Sequence, residues 1–136
     1  MMNAEVGFGR KVLDVLEDHD ISFEHLPSGV DTMSVIVHTA DLDEHREKVI
    51  ASLNKRVRPD SIVCEDGLAL LAVVGRGMKA NRGTASRLFA ALAMANINVR
   101  MIDQGSSELN IIIGVHNEDF DNAIRAIYDV FVKVEL

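Results

Sequence analysis

A chain of 136 residues that is 48% hydrophobic and carries a net charge of −7 can bury one ordinary domain, or two very small ones with a shared core. Its 14 basic side chains are scattered among 21 acidic ones, with no Trp and one Tyr, so the electrostatic and stacking footprint of a nucleic-acid binder is missing. The longest apolar runs, such as Leu68 to Val74, fall far short of the roughly 20 residues of a membrane span, and no signal-peptide pattern precedes Gly7. A soluble, cytoplasmic protein is expected. The single cysteine, Cys64, excludes an intrachain disulfide and, in the context SIVCED, reads as a buried thiol in a strand.

In chain order, Phe8, Val12, Val15, Leu16 and His19 mark one face of a first helix. Ile21 and Phe23 then alternate with polar neighbours as a half-buried strand does. The stretch PSGVD turns the chain, and Val35 to Val37 form the next strand. Asp41 with Glu44 makes a capping-box-like start for a second helix carrying Leu42, Val49 and Leu53. A strand near Ser61 to Glu65 meets Leu68 to Val74 through Asp66-Gly67, a two-residue hairpin turn of the primed type. Beyond it, Ala85, Leu88, Leu92 and Ala95 mark a helix, and Ile97, Val99 and Met101 a strand. The turn QGSSE, the strand Ile111 to Ile113, a helix capped by Asn117 and a closing strand near Val132 to Leu136 follow.

The chain is written twice. An offset of 76 residues sets Gly7 to Val37 against Gly83 to Ile113 without a gap, so that Val12, Leu16, Ile21, Phe23, Leu26 and Gly29 face Leu88, Leu92, Ile97, Val99, Ile102 and Gly105. In the second helices Leu42, Val49 and Leu53 face Phe120, Ile127 and Phe131 at an offset of 78. Helix, strand, strand, helix, strand with one more strand in front is the ferredoxin-like βαββαβ order, an α+β fold with helices on one face of an antiparallel sheet. Only one leading strand is visible, Leu68 to Val74. The hairpin argument assigns it to the first unit, giving units 1–75 (with 68–74) and 76–136 and placing the second unit's leading strand before Met1, as in a piece of a longer protein. An open strand slot exposes unpaired backbone, so a dimer or larger assembly is expected.

The loop VVGRGMKANRG raises the question of phosphate, because glycines let backbone N–H groups approach an anion. It lacks the Gly-Lys-Ser/Thr ending of a P-loop, and Gly75, Gly77 and Gly83 lack dinucleotide-fold spacing. Tight exit from a strand is the better reading, with Met78, Lys79 and Asn81 bordering a second small-molecule groove or a subunit contact. Gln104, Ser106, Ser107, Glu108 and Asn110 share that groove or interface, though turn and edge polarity accounts for most of them. Asn110 and Ser34 each open an apolar strand, where a ligand or partner chain could satisfy them. The acidic run DLDEHREK with His45 suits a helix N-terminus, and His19, His25, His38 and His116 show no metal-ligand spacing, so no metal site is assigned. No catalytic constellation is apparent.

The repeats carrying VGFGRKVLDVLEDHDISFEHLPSGVDTMSVIV and VGRGMKANRGTASRLFAALAMANINVRMIDQGSSELNIIIGV resemble the paired ACT domains at the C-terminus of aspartate kinase. The stretches NINVRMIDQGSSELNIIIGV and ISFEHLPSGVD are similar above all to monofunctional bacterial aspartate kinases. The resemblance implies the regulatory half of an enzyme that phosphorylates the aspartate carboxylate from ATP, inhibited by lysine alone or with threonine. It also implies a kinase domain before Met1, to which ATP and Mg would belong, and no cofactor within this chain. Carried over by position, the effector site is Met2, Asn3, Ala4, Glu5, Gly7, Phe8 and Gly9 with Phe23, Glu24, Pro27, Ser28 and Gly29. Where relatives often carry Asp on this strand, the chain has Glu24.

The chemistry of an amino-acid effector agrees with that placement. Backbone N–H groups at Gly7 to Gly9, opening a helix, suit a carboxylate, and Glu24 can meet an ammonium. Its counterpart in the second repeat is Arg100, so lysine is expected in the first unit only. Three readings stand beside one another: an effector-binding module, in which Glu24 works; a ligand-free assembly module, in which Glu24 is a solvated strand residue; and a small nucleotide-dependent enzyme.

Overall fold

The structure, a computed structural model, describes residues 5–74, 83–104 and 110–132, excluding the side chain of Val132. Its contacts divide the chain into two units, 1–66 and 67–136. In the first, α1 (Phe8–Asp18), β1 (Phe23–His25), β2 (Ile36–Val37), α2 (Thr39–Asp43) and α3 (Arg46–Arg56) follow one another. The second holds β3 (Leu68–Val74), α4 (Thr84–Met94), β4 (Met101–Asp103), β5 (Asn110–His116), a 3-10 turn (Asn117–Asp119) and α5 (Phe120–Val132). No helix among the described residues is long and apolar enough to cross a membrane.

The duplication is visible in single residues. Gly7 and Gly83 precede α1 and α4 with φ of 86° and 81°, a left-handed geometry that costs glycine nothing. Asp20 and Asn96, with φ of 57° and 58°, close the same helices. The next residues, Ile21 and Ile97, each return their N–H to a helix carbonyl five residues back, Leu16 and Leu92, at 2.9 and 3.0 Å. This is the Schellman closure, in which the buried isoleucine supplies the apolar contact and a short Asp or Asn side chain tolerates the left-handed turn. Each helix is thereby reversed into the strand that follows it.

In the second unit the sheet order is β3-β5-β4, antiparallel throughout. Ile111, Ile113 and Val115 of β5 are buried on one face against Leu88 and Leu92 of α4 and Ala123 and Ile127 of α5. Leu71 of β3 pairs with Ile113, so the two strands present their apolar residues to the same helices. This is the ferredoxin-like α+β arrangement. The first unit repeats it on a smaller scale: Val15 and Leu16 of α1, Ile21 and Val49 of α3 form a core flanked by Val35, Val37, Leu42 and Leu53. Two ion-pair groups brace that core from outside. Arg56 of α3 reaches Asp18 and, at 3.9 Å, Asp14 on α1, while Arg46 forks onto Asp66 at 2.7 and 2.8 Å and holds Asp43 at 2.8 Å.

Several expectations are corrected. Leu68 to Val74 pairs along its whole length with Asn110 to His116 and leads the second unit, so the division falls after Asp66 and not at 75, and the second unit's leading strand lies within the chain. Ser61 to Glu65 forms no strand, because Val63 is 86% exposed and its neighbours offer no buried stripe to pair. Cys64 on that segment is exposed, not buried in a strand. Asp41 does not begin a helix: α2 starts at Thr39 after His38, and α3 starts separately after His45. Asn117 opens the 3-10 turn instead of capping α5 directly. The strand expected from Ile97 forms its ladder only from Met101, although the N–H of Arg100 already donates to the Gly114 carbonyl at 2.7 Å. The closing strand expected at the C-terminus begins with Val132, which ends α5, and otherwise lies outside the described residues.

The offset between the repeats also changes earlier than expected. His25 stands opposite Ile36 as Met101 stands opposite Gly114, which puts Ile36 against Gly114 at an offset of 78. The two-residue length change therefore falls in the turn before the strand, not after it. His38 and His116 become equivalents, and their backbones agree: φ/ψ of −65°/134° and −62°/144°, each just before a helical turn.

Candidate effector site

Of the expected effector residues, Met2, Asn3 and Ala4 lie outside the described residues. Glu5 is exposed, is paired with Lys11, and gives its carbonyl to the N–H of Phe8 at 3.4 Å. Gly7 precedes α1 with no side-chain cap among the described residues, and the first turn carries no acidic residue of its own to offset the positive end of the helix dipole. A Cβ built at Gly7 or Gly9 would meet nothing within 4 Å.

Schellman closure at Asp20 sends the chain back. Eleven residues of α1 rise about 16 Å. β1 follows that reversal with Phe23 and Glu24 on it, and the chain then reaches Pro27, Ser28 and Gly29. Pro27 to Ser34 is a small hairpin, with Gly29 N–H to the Thr32 carbonyl at 2.8 Å and Ser34 N–H to the Pro27 carbonyl at 3.1 Å. Ser34, expected to need a partner, is exposed and open to water. Phe23 is 46% exposed, large for an aromatic ring on a strand.

Glu24 sits at a bulge: Phe23 and His25 face consecutive residues, Val37 and Ile36, which leaves Glu24 without an opposite number. Bulges re-aim a side chain, and here the carboxylate meets the Nε2 of His38 at 2.6 Å. The 76-residue offset does not single out His38; the HTADL and HNEDF stretches, each starting a helix, are the signal that sets it against His116. Arg46 and Asp66 form an ion pair elsewhere in this unit. Hydrogen bonds from Arg46 hold the Asp66 carboxyl below its usual range, and Asp66 and Asp43 raise the Arg46 guanidinium above its own.

Of the second groove, Met78, Lys79, Asn81, Ser106, Ser107 and Glu108 lie outside the described residues. Gln104 is exposed after β4, and Asn110 is a paired, half-buried strand residue opposite Val74, so the two are not shown to share a groove. Among the described residues no three His, Cys, Asp or Glu side chains gather as a metal site would require.

The fold defines a pair of ferredoxin-like α+β units. The ACT domain family matches residues 71–131. Aspartokinase 3 of Bacillus subtilis is 40% identical over 132 residues, which cover 96% of this chain and 29% of the relative. The crystal structure of the allosteric aspartate kinase of Clostridium acetobutylicum superimposes with a TM-score of 0.93 at 47% identity, over 97% of this chain and 30% of that one. Aspartokinase III of E. coli, solved with lysine and aspartate, shares the fold with a TM-score of 0.71 at 23% identity, over 96% of this chain and 29% of that one. This chain thus spans under a third of the length of these enzymes. Over nearly its whole length it matches the regulatory ACT-domain region of aspartate kinases.

Proposed function

We propose that the first unit binds free lysine, alone or together with threonine, and that occupancy feeds back on an aspartate kinase domain joined to this region in the cytoplasm. In that reading ATP and Mg serve the kinase domain, this chain needs no cofactor, and its units associate with further copies. One observation carries the effector assignment: α1 opens without a side-chain cap or an acidic residue in its first turn, and after the Schellman reversal the bulge on β1 turns the Glu24 carboxylate out of the ladder. The α-carboxylate and the side-chain ammonium of lysine match those two ends. The E. coli enzyme of the same fold, solved with lysine, supports the choice of ligand class.

Feedback requires that the effector bind one arrangement of the units better than another, and couplings of about 1–3 kcal/mol are usual. Calorimetry of this chain with lysine, threonine and their mixture tests the assignment. Lysine binding that Glu24→Ala weakens about tenfold is expected, the scale of a hydrogen bond to a charged group. An unchanged affinity in Glu24→Ala would remove Glu24 from the site, and no heat with any of the three would remove the effector reading.

A further inference from the structure

His38 is not among the positions that the sequence resemblance assigns to the effector, yet its ring nitrogen lies 2.6 Å from Glu24 Oε1. The contact follows from the backbone. The bulge on β1 turns Glu24 out of the ladder, and β2 ends at Val37, so that the next residue leaves the strand beside it. Both side chains face water, His38 70% exposed and Glu24 43%. Burial therefore does not force the pair together; it exists because a donor and an acceptor are within reach. The second unit keeps the histidine, as His116, but carries Arg100 in place of the acid.

We propose that His38 is the internal occupant of the Glu24 carboxylate, a donor that an effector ammonium must displace, and that it thereby sets the affinity and cation selectivity of the first unit. This inference rests on the reading of Glu24 as the ammonium partner. An exposed pair of this kind contributes little in free energy. It can still set the threshold concentration of a sensor, because it is lost only when the ligand arrives. A ligand without a side-chain ammonium does not contest Oε1 and is indifferent to His38.

Lysine and norleucine, its isostere without the ε-ammonium, are titrated into this chain and into Glu24→Gln, His38→Ala and the double variant, with the ring 15N resonances of His38 recorded before titration. Expected are a two- to fivefold gain in lysine affinity on His38→Ala, no gain from His38→Ala in the Glu24→Gln background, and no change for norleucine. A general loosening of the fold would move both ligands alike. A loss of lysine affinity on His38→Ala, or an equal change for both ligands, would overturn the competition. The resonances keep the two levels apart. If they move on Glu24→Gln while lysine affinity does not, the effector reading fails and the competition with it, although the pair stands. If they do not move, the pair itself is wrong.

Discussion

Gly83 and Gly9 invite opposite substitutions. Gly83 holds φ at 81°, where a Cβ is strained whatever the room around it, so Gly83→Ala is expected to destabilise by about 1–2 kcal/mol, read from the urea midpoint. Gly9 sits inside the first turn of α1 with open space at its Cβ, and Gly9→Ala is expected to stabilise by up to about 1 kcal/mol through the unfolded chain. Gly114 is a third case. An added Cβ there would lie 3.0 Å from the Met101 Cβ and 3.4 Å from a Leu70 methyl, both tied to strands, so Gly114→Ala should cost about 1–3 kcal/mol by overpacking. Its place opposite Met101 was not legible in sequence, because glycine in the run NIIIGVH reads as a break in an apolar stretch until the register is known.

Among the elements, α3 is tied down by charge and α4 by apolar contact. Leu88 and Leu92 of α4 have no exposed surface, and Leu92→Ala is expected to cost about 2–5 kcal/mol in the second unit. Arg87 adds a stacking contact, its guanidinium 5.1 Å from the Phe131 ring centre on α5. Arg46 instead ties the start of α3 to Asp66, the last residue of its unit. The Asp66 carboxyl is held below its ordinary value, so its contribution is complete above the unfolded value near pH 4 and fades as pH falls through the lowered one. Asp66→Asn should therefore lower the melting temperature slightly at pH 7, by no more than about 5 °C, and the gap from the parent chain should close at low pH. Helix faces of this kind were legible: Val12, Val15 and Leu16, or Leu88 and Leu92, recur at helical spacing and are buried as that spacing requires. Strand partners were not. Leu68 to Val74 can form a tight turn with the residues before it or a ladder with residues some forty positions later, and local chemistry favoured the turn. Burial decided otherwise, because only β5 offered an apolar face for it to continue.

For the molecule as a whole, effector binding to the native state must add to its stability, by about 2.7 kcal/mol at a hundredfold excess of lysine over Kd, visible as a rise in melting temperature that threonine alone or norleucine does not match. The duplication, the α+β class and the family were within reach of the sequence alone, since periodicity, capping residues and glycines at equal offsets are local features that survive without coordinates. Their agreement in Gly7 with Gly83 and Asp20 with Asn96 is a property of short-range backbone chemistry. Which unit owns the strand at 68–74, where the offset changes, and what meets Glu24 depended on pairing between distant segments. Such pairing is chosen by the burial of whole faces, a sum over residues far apart in the chain, and no window of sequence contains it.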